Sequence, residues 1–195
     1  MLGSSAQAGM YWGMSPRRKI AVLTSNTGVE KVELESPLQA LSEQGWDVDH
    51  LAPEAGDVQT MNHDVNKDVV HQAGKAVADV SPDDYDALIV PGGTVNADKL
   101  RADEGAVSFI KRFAQTKKPI AAICHGPWAL VEAGVLPGKT LTSYPSLRTD
   151  ITNAGGTWVD QEVVHCPAEG WDLVTSRNPG DLDAFNAKLI EVFNQ

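Results

Sequence analysis

The segment around Cys124 contains residue types that could do covalent chemistry. Cys124 and His125 follow a short apolar run, Ile120–Ile123, and are followed at once by Gly126 and Pro127. Apolar residues then recur at helical spacing, which predicts a turn from a buried strand into a helix at the cysteine. A thiol at such a turn lies close to free N–H groups and to the positive end of the helix dipole, which favour the thiolate. The pattern therefore predicts a nucleophilic Cys124.

The roles of Cys124, of His125 and of the turn Gly92-Gly93 each have a second interpretation. Cysteine is among the most buried residue types, so Cys124 could be an inert core residue. A dyad with His125 is geometrically awkward because successive side chains usually diverge. The backbone N–H of His125 and that of Gly93, in the turn Gly92-Gly93, could instead hold a developing oxyanion. A plain tight turn is the other interpretation of the two glycines.

Two glutamates lie at the start of the first predicted helix, residues 32–44. A carboxylate at a helix start gains from the dipole, which is the structural interpretation of both Glu30 and Glu33. Glu30 is nearer to the preceding loop, and we predict that it faces Cys124. Contact with a thiolate would raise the pKa of this carboxyl group and let it donate or shuttle a proton.

Strand and helix patterns alternate along the chain, which predicts an α/β fold with a mostly parallel sheet and helices on both faces. The predicted strands are residues 19–24, 46–51, 86–90, 120–123, 140–144, 158–164 and 172–176, and the helices after the first are residues 104–116, 147–154, 181–195 and one that follows Cys124. Residues 52–80 show a weaker pattern that suggests loops with a short hairpin. Ligands bind beyond the carboxyl ends of the strands in such sheets, so the candidate residues are expected to meet in one crevice.

Length and composition restrict the class of protein. The 195 residues suit one domain, predicted over residues 17–195, preceded by a flexible Gly/Ser-rich leader at residues 1–16. A net charge of −10 argues against nucleic acid as a partner. Two widely separated cysteines without a signal peptide or a membrane span suit the cytoplasm. We find no spacing of metal ligands and no phosphate-binding loop, so neither a metal nor a cofactor is predicted.

Six short motifs together resemble the ThiJ/PfpI superfamily, and within it the PfpI-like branch. They are Ala122-Ile-Cys-His-Gly-Pro, Val29-Glu-Lys-Val-Glu-Leu, Val90-Pro-Gly-Gly, Gly134-Val-Leu-Pro-Gly, Thr142-Ser-Tyr-Pro and Trp158-Val-Asp-Gln-Glu-Val. The resemblance extends from about Lys19 to the C-terminus. It implies a flavodoxin-like three-layer sandwich, a nucleophilic Cys124 in a strained elbow, and Glu30 as its hydrogen-bonded carboxyl partner. It also implies a homodimer or a larger assembly.

The resemblance suggests two kinds of enzyme. Members of the family are described as intracellular cysteine proteases in which an acid from a neighbouring subunit completes a triad with the elbow histidine. That acid normally follows the glycine pair in a Pro-Glu or Pro-Asp context; here Asp98 is the nearest match, and the proline is absent. The family is also credited with cofactor-free glyoxalase and deglycase activity and with stress protection. Gly92, Gly93, His125 and Tyr144 are the residues assigned to oxyanion or substrate binding.

The leading hypothesis is a stress-response enzyme that acts on a small carbonyl substrate such as methylglyoxal or on a glycated protein. In this hypothesis Cys124 adds to the aldehyde, Glu30 moves a proton between neighbouring carbons, and water releases the product. The first alternative is a cysteine peptidase that uses Cys124, His125 and the Asp98 of a neighbouring subunit. The second is a non-enzymatic redox sensor or holdase, because accessible cysteines of low pKa are readily oxidised.

Overall fold

A seven-stranded sheet forms the centre of the structure, a computed structural model that describes residues 17–195. The predicted flexible leader, residues 1–16, lies outside the described residues. Within the described part of the chain, no helix is long and apolar enough to cross a membrane.

The strands and helices have the following bounds. The strands are β1 (Lys19–Leu23), β2 (Thr27–Glu30), β3 (Asp47–Ala52), β4 (Gly56–Asn62), β5 (Asn66–Ala73), β6 (Lys75–Ala76), β7 (Ala87–Val90), β8 (Ile120–Ile123), β9 (Thr140–Leu141), β10 (Thr157–Trp158), β11 (Val163–Cys166) and β12 (Leu173–Ser176). The helices are α1 (Lys31–Glu43), α2 (Thr94–Ala102), α3 (Glu104–Gln115), α4 (Pro127–Ala133), α5 (Arg148–Asn153) and α6 (Leu182–Phe193).

The central sheet has the strand order β11-β12-β8-β7-β1-β3-β6. All neighbours in it are parallel except β11 and β12, which pair antiparallel at one edge. The predicted mostly parallel sheet is therefore confirmed. Strands β1, β7 and β8 are neighbours and run in the same direction, so their carboxyl ends lie side by side at one edge of the sheet.

Helices cover both faces of this sheet. Successive side chains of a strand point to opposite faces, so Ile20 and Val22 of β1 join one apolar core, whereas Ala21 and Leu23 join the other. Helices α1 and α6 contribute to the first core, and α2, α3, α4 and α5 contribute to the second. This arrangement is the predicted three-layer sandwich, and burial on both faces explains why the central strands are almost continuously apolar.

Most of the segment that gave a weak sequence pattern forms strands β4 and β5, which join β2 in a second, smaller sheet. Strands β4 and β5 form a long antiparallel hairpin, and β2 pairs parallel with β4. Strand β5 has two half-exposed valines side by side, Val69 and Val70, so it lacks the alternation that identifies a strand. The predicted short hairpin is present but longer than expected, whereas helix α2 was not predicted. This helix buries Asn96, Ala97 and Leu100, too few apolar residues to show a helical period.

Candidate active site

Cys124 lies in a strained turn between β8 and α4. Its φ angle of 60° is in the left-handed region, which costs a residue with a side chain about 1–3 kcal/mol. The N–H of Cys124 donates to the carbonyl of Ser176 at 3.0 Å, and its own carbonyl accepts from the N–H of Tyr144 at 2.8 Å. These bonds hold the strained backbone, and the side chain is 5% exposed. The turn has the strained geometry that the family resemblance implies for the elbow.

The His125 imidazole contacts the cysteine, contrary to the expectation that neighbouring side chains diverge. Its Nδ1 atom lies 3.2 Å from Sγ of Cys124. The ring also stacks on Tyr144, with 4.5 Å between the ring centroids. Tyr144 is 41% exposed, so it forms part of the outer wall of the site. The left-handed backbone at Cys124 changes the direction of the chain between the two side chains, which allows the Cys-His contact.

The carboxyl group beside Cys124 belongs to Glu33 rather than to Glu30. Glu33 lies in the first turn of α1, is fully buried, and has its carboxyl group within interaction distance of the Cys124 thiol. Gly92 lies between the two side chains. A Cβ atom on Gly92 would be 2.7 Å from Cβ of Cys124 and would overlap the Glu33 carboxyl group, so only glycine allows this approach. The prediction that Glu30 faces the cysteine is therefore wrong.

The Glu30 carboxylate instead binds the turn of the β4–β5 hairpin. Its two oxygens accept the N–H groups of His63 and Asp64, each at 2.9 Å. Both turn residues have left-handed φ angles, 53° and 64°, which direct their successive N–H groups to one side of the turn. Glu30 ends β2 and directly precedes α1, so its side chain connects the start of the helix to the hairpin.

Burial raises the pKa of Glu33 to about 8. This value already includes the nearby Glu30 and Asp64, which also raise the pKa, and the Cys124 thiol and the N–H of Gly92, which lower it. Within residues 17–195, no group meets the distance and angle of an ordinary hydrogen bond to either Glu33 oxygen, so little stabilises the carboxylate. Glu33 is therefore mostly protonated at neutral pH.

The thiol of Cys124 is coupled to this carboxyl group. Burial raises the pKa of Cys124, the Glu33 carboxylate raises it further, and the N–H of Gly93 opposes the shift. The predicted low pKa of Cys124 is therefore wrong. When Glu33 holds the proton, the repulsion disappears, and the neutral carboxyl group can donate a hydrogen bond to the thiolate. Protonation of Glu33 thus removes one cause of the raised Cys124 pKa, whereas burial continues to raise it.

The turn after β7 carries the other predicted residues. Gly93 has a φ angle of 94°, and a Cβ atom there would lie 2.7 Å from the Glu30 nitrogen. Its N–H interacts with Sγ of Cys124. The side chain of Asn96 fixes this turn, because it accepts from the N–H of Ser25 at 2.7 Å and donates to the Gly92 carbonyl at 3.0 Å. Asn96 was missed because α2 was not predicted from the sequence.

Asp98 is not brought to Cys124 within the chain. It lies on the exposed face of α2, and the residue of that helix nearest to His125 is Thr94, whose hydroxyl oxygen is 3.3 Å from Nε2. The Thr94 hydroxyl also contacts the Asp64 carboxylate at 3.2 Å. The sequence did not identify Thr94 and Asp64, since no helix was predicted at Thr94 and Asp64 lies in the segment predicted as loops with a short hairpin. The role of Asp98 in a neighbouring subunit stays a prediction.

The remaining cysteine and histidines have structural contacts. Cys166 accepts the N–H of Thr140 on its sulfur at 3.3 Å, and His165 pairs with Asp172 at 2.7 Å. His50 contacts the Thr24 hydroxyl at 2.8 Å. Among the residues that the structure describes, no three His, Cys, Asp or Glu side chains are grouped so that they could hold a metal ion.

Comparison with known sequences identifies similar proteins over nearly the whole chain. Residues 18–192 match the model of the DJ-1/PfpI family. The putative cysteine protease YraA of Bacillus subtilis is 41% identical over 175 residues, which cover 90% of this chain and 98% of that protein. General stress protein 18 of the same organism is 38% identical over 91% of this chain and 99% of its own length. Deglycase PfpI of Pyrococcus furiosus is 39% identical over 89% of this chain and 98% of its own length.

Comparison with solved structures finds a protein with a similar fold. Drosophila melanogaster DJ-1beta superposes with a TM-score of 0.79 at 27% sequence identity, covering 92% of each chain. The flavodoxin-like fold implied by the sequence motifs is therefore confirmed.

Proposed function

Since the chain belongs to the DJ-1/PfpI family, we propose that it is a cysteine-dependent glyoxalase or deglycase that needs no cofactor. Its substrates would be methylglyoxal-type dicarbonyls and early glycation adducts of proteins. The observation that carries the proposal is the fully buried Glu33 beside Cys124, with a pKa of about 8. A group with such a pKa can both give and take a proton near neutral pH, which an isomerisation between neighbouring carbons requires.

The first step forms a carbon–sulfur bond. Nδ1 of His125, 3.2 Å from Sγ, accepts the proton of the Cys124 thiol. The resulting thiolate attacks the aldehyde carbon of methylglyoxal, and the electron pair of the carbonyl bond moves to oxygen. Glu33, which holds the proton at neutral pH, protonates this alkoxide to give a hemithioacetal. The backbone N–H groups of Gly93 and His125 are the proposed donors to the developing oxyanion.

The second step moves a proton between carbons. The Glu33 carboxylate removes the hydrogen of the carbon bonded to sulfur, which gives an enediolate, and the Glu33 carboxyl group then returns this proton to the neighbouring carbon. The hydroxyl proton of the first carbon moves to the oxygen of the second. The product is a thioester of a 2-hydroxy acid. Water then breaks the carbon–sulfur bond. The sulfur leaves with the proton held by His125, one proton of the water returns to Glu33, and the other is released to solvent together with lactate. Methylglyoxal and water are thereby converted to lactate with no change in overall oxidation state.

Early adducts of methylglyoxal with protein amines would react by the same steps. In the adduct of methylglyoxal with an amine, the carbon–nitrogen bond breaks, the amine takes the hydroxyl proton, and the aldehyde carbon becomes open to attack by Cys124. The free amine and lactate are the products. A deglycase name among the relatives supports this substrate class.

Lactate formation from methylglyoxal by the purified protein tests the proposal. We expect one lactate per methylglyoxal consumed, with neither glutathione nor added metal. A rate equal to that of buffer alone would exclude the glyoxalase activity.

A cysteine peptidase is the second candidate, and the 3.2 Å contact between Cys124 and His125 favours it. A relative is named as a putative cysteine protease, which supports the same possibility. This mechanism would use His125 as the base and the Asp98 of a neighbouring subunit, and thus a homodimer or larger assembly. Hydrolysis of an unglycated peptide separates the two activities, because the glyoxalase mechanism leaves a peptide bond intact.

Both cysteines are free thiols, which suits the cytoplasm as the proposed location.

A further inference from the structure

We propose that Asp64 is a positioning residue that fixes the tautomer of His125 through the hydroxyl group of Thr94. This inference extends the proposed function, because it concerns the base beside the same cysteine. Its activity measurement rests on the proposed function, whereas its NMR measurement does not. Asp64 lies in the turn of the β4–β5 hairpin, whereas His125 follows β8, so the connection joins two distant parts of the chain.

Three contacts form the connection. The N–H of Thr94 donates to one oxygen of Asp64 at 2.8 Å, and the Thr94 hydroxyl lies 3.2 Å from the other oxygen. The same hydroxyl lies 3.3 Å from Nε2 of His125. On the other side of the ring, Nδ1 faces the sulfur of Cys124 at 3.2 Å. Ser146 is a more distant neighbour of Nε2, at 3.5 Å.

The chemistry of these groups fixes the direction of each hydrogen bond. A carboxylate only accepts, so the Thr94 hydroxyl uses its single hydrogen to donate to Asp64. The Thr94 oxygen must then accept from His125, which places the imidazole proton on Nε2. Burial lowers the pKa of His125 and favours the neutral ring. The neutral ring therefore presents the lone pair of Nδ1 to the thiol, and Nδ1 can accept its proton.

Glu30 supports this connection at its far end. Its carboxylate binds the N–H groups of His63 and Asp64, so it fixes the turn that presents the Asp64 side chain. Glu30 thus acts three contacts away from His125, through Asp64 and Thr94, although its side chain does not reach Cys124. This position gives Glu30 a structural role at the site in place of the one predicted from the sequence.

The variant Asp64→Asn tests the proposal. The side-chain amide that this substitution introduces would donate to the Thr94 oxygen, whose hydroxyl would then donate to Nε2 and move the imidazole proton to Nδ1. ¹⁵N NMR of the His125 ring measures the tautomer without any substrate. We expect the Nε2–H form in the wild type and in Asp57→Asn, and the Nδ1–H form in Asp64→Asn. Asp57 is a matched control because it lies at the other end of the same hairpin and accepts from Gln72.

Activity gives a second readout. We expect Asp64→Asn and Thr94→Val each to lower kcat about tenfold to a hundredfold, less than the ~10²–10⁴-fold that a general base contributes, with little change in KM. Thr94→Ser keeps the hydroxyl and should keep both the tautomer and kcat. If Asp64→Asn does not fold, Thr94→Val tests the same connection. An unchanged tautomer in Asp64→Asn or Thr94→Val would overturn the proposal, whereas absence of lactate in the wild type would overturn only the glyoxalase assignment.

Discussion

Cys124→Ala is expected to lower lactate production from methylglyoxal by at least about 10³-fold, which corresponds to roughly 4 kcal/mol of transition-state stabilisation. The reason is that no carbon–sulfur bond can form, so the hemithioacetal and the thioester are both lost. The alanine side chain fits the space of the cysteine, and the backbone contacts of the turn remain. We therefore expect the loss in kcat with an unchanged fold, measured by lactate assay and circular dichroism.

Cys166→Ala is the matched control for this substitution. Cys166 is also buried and free, but its sulfur contacts the backbone of Thr140 rather than the site. The control should retain the wild-type rate once its folding has been verified. Equal rates for wild type and Cys124→Ala would contradict the covalent mechanism.

The second large effect is expected for Glu33→Gln, which should lower kcat about 10²–10⁴-fold. Glutamine has nearly the same shape but cannot take a proton from carbon, so isomerisation of the hemithioacetal stops. Because the thiol remains, single-turnover measurements should show that the enzyme still binds methylglyoxal covalently. Mass spectrometry of Cys124 after brief exposure to substrate measures that adduct.

Two further variants make the Glu33 prediction specific. Glu35→Gln changes a glutamate on the same helix that pairs with His71 at the surface, so it should leave kcat unchanged. Glu30→Gln weakens the hairpin turn and should have a smaller effect than Glu33→Gln. A larger loss in Glu30→Gln than in Glu33→Gln would show that Glu30 is the proton shuttle after all.

The sequence predicted the sheet and the position of Cys124 because both depend on local patterns. A continuous apolar run such as Ile120–Ile123 suits a strand that is buried on both faces, and a Gly-Pro pair directly after the cysteine indicates the start of a helix. The same dependence on local patterns explains why helix α2, residues 94–102, was missed and why the β4–β5 hairpin was predicted only as loops with a short hairpin. Their polar or half-exposed side chains give no clear period, and pairing with distant strands decides their structure.

The choice between Glu30 and Glu33 could not be made from the sequence. Both lie at the start of α1, and proximity to the loop favoured Glu30. The hairpin turn at His63 and Asp64 binds Glu30, and this turn is more than thirty residues away in the chain. Gly92, which follows β7, has no side chain, so the Glu33 carboxyl group has space to approach Cys124.

The Cys-His contact depends on a backbone angle that residue types do not reveal. Cysteine rarely adopts a positive φ, so the residue types alone give no reason to expect the left-handed conformation of Cys124, and only the family resemblance implies a strained turn there. The hydrogen bonds to Ser176 and Tyr144 stabilise that conformation, and both residues are distant in the sequence. Long-range backbone contacts therefore set the geometry of the catalytic group.

The protonation state of Glu33 is the central claim, and infrared spectroscopy of the carboxyl group across a pH titration tests it most directly. The band of the protonated Glu33 carboxyl group can be assigned by its absence in Glu33→Gln. We predict that this band persists at pH 7 and disappears with a midpoint near pH 8. A midpoint near the ordinary value of 4.5 would show that Glu33 is ionised at neutral pH and would contradict the proposed proton shuttle.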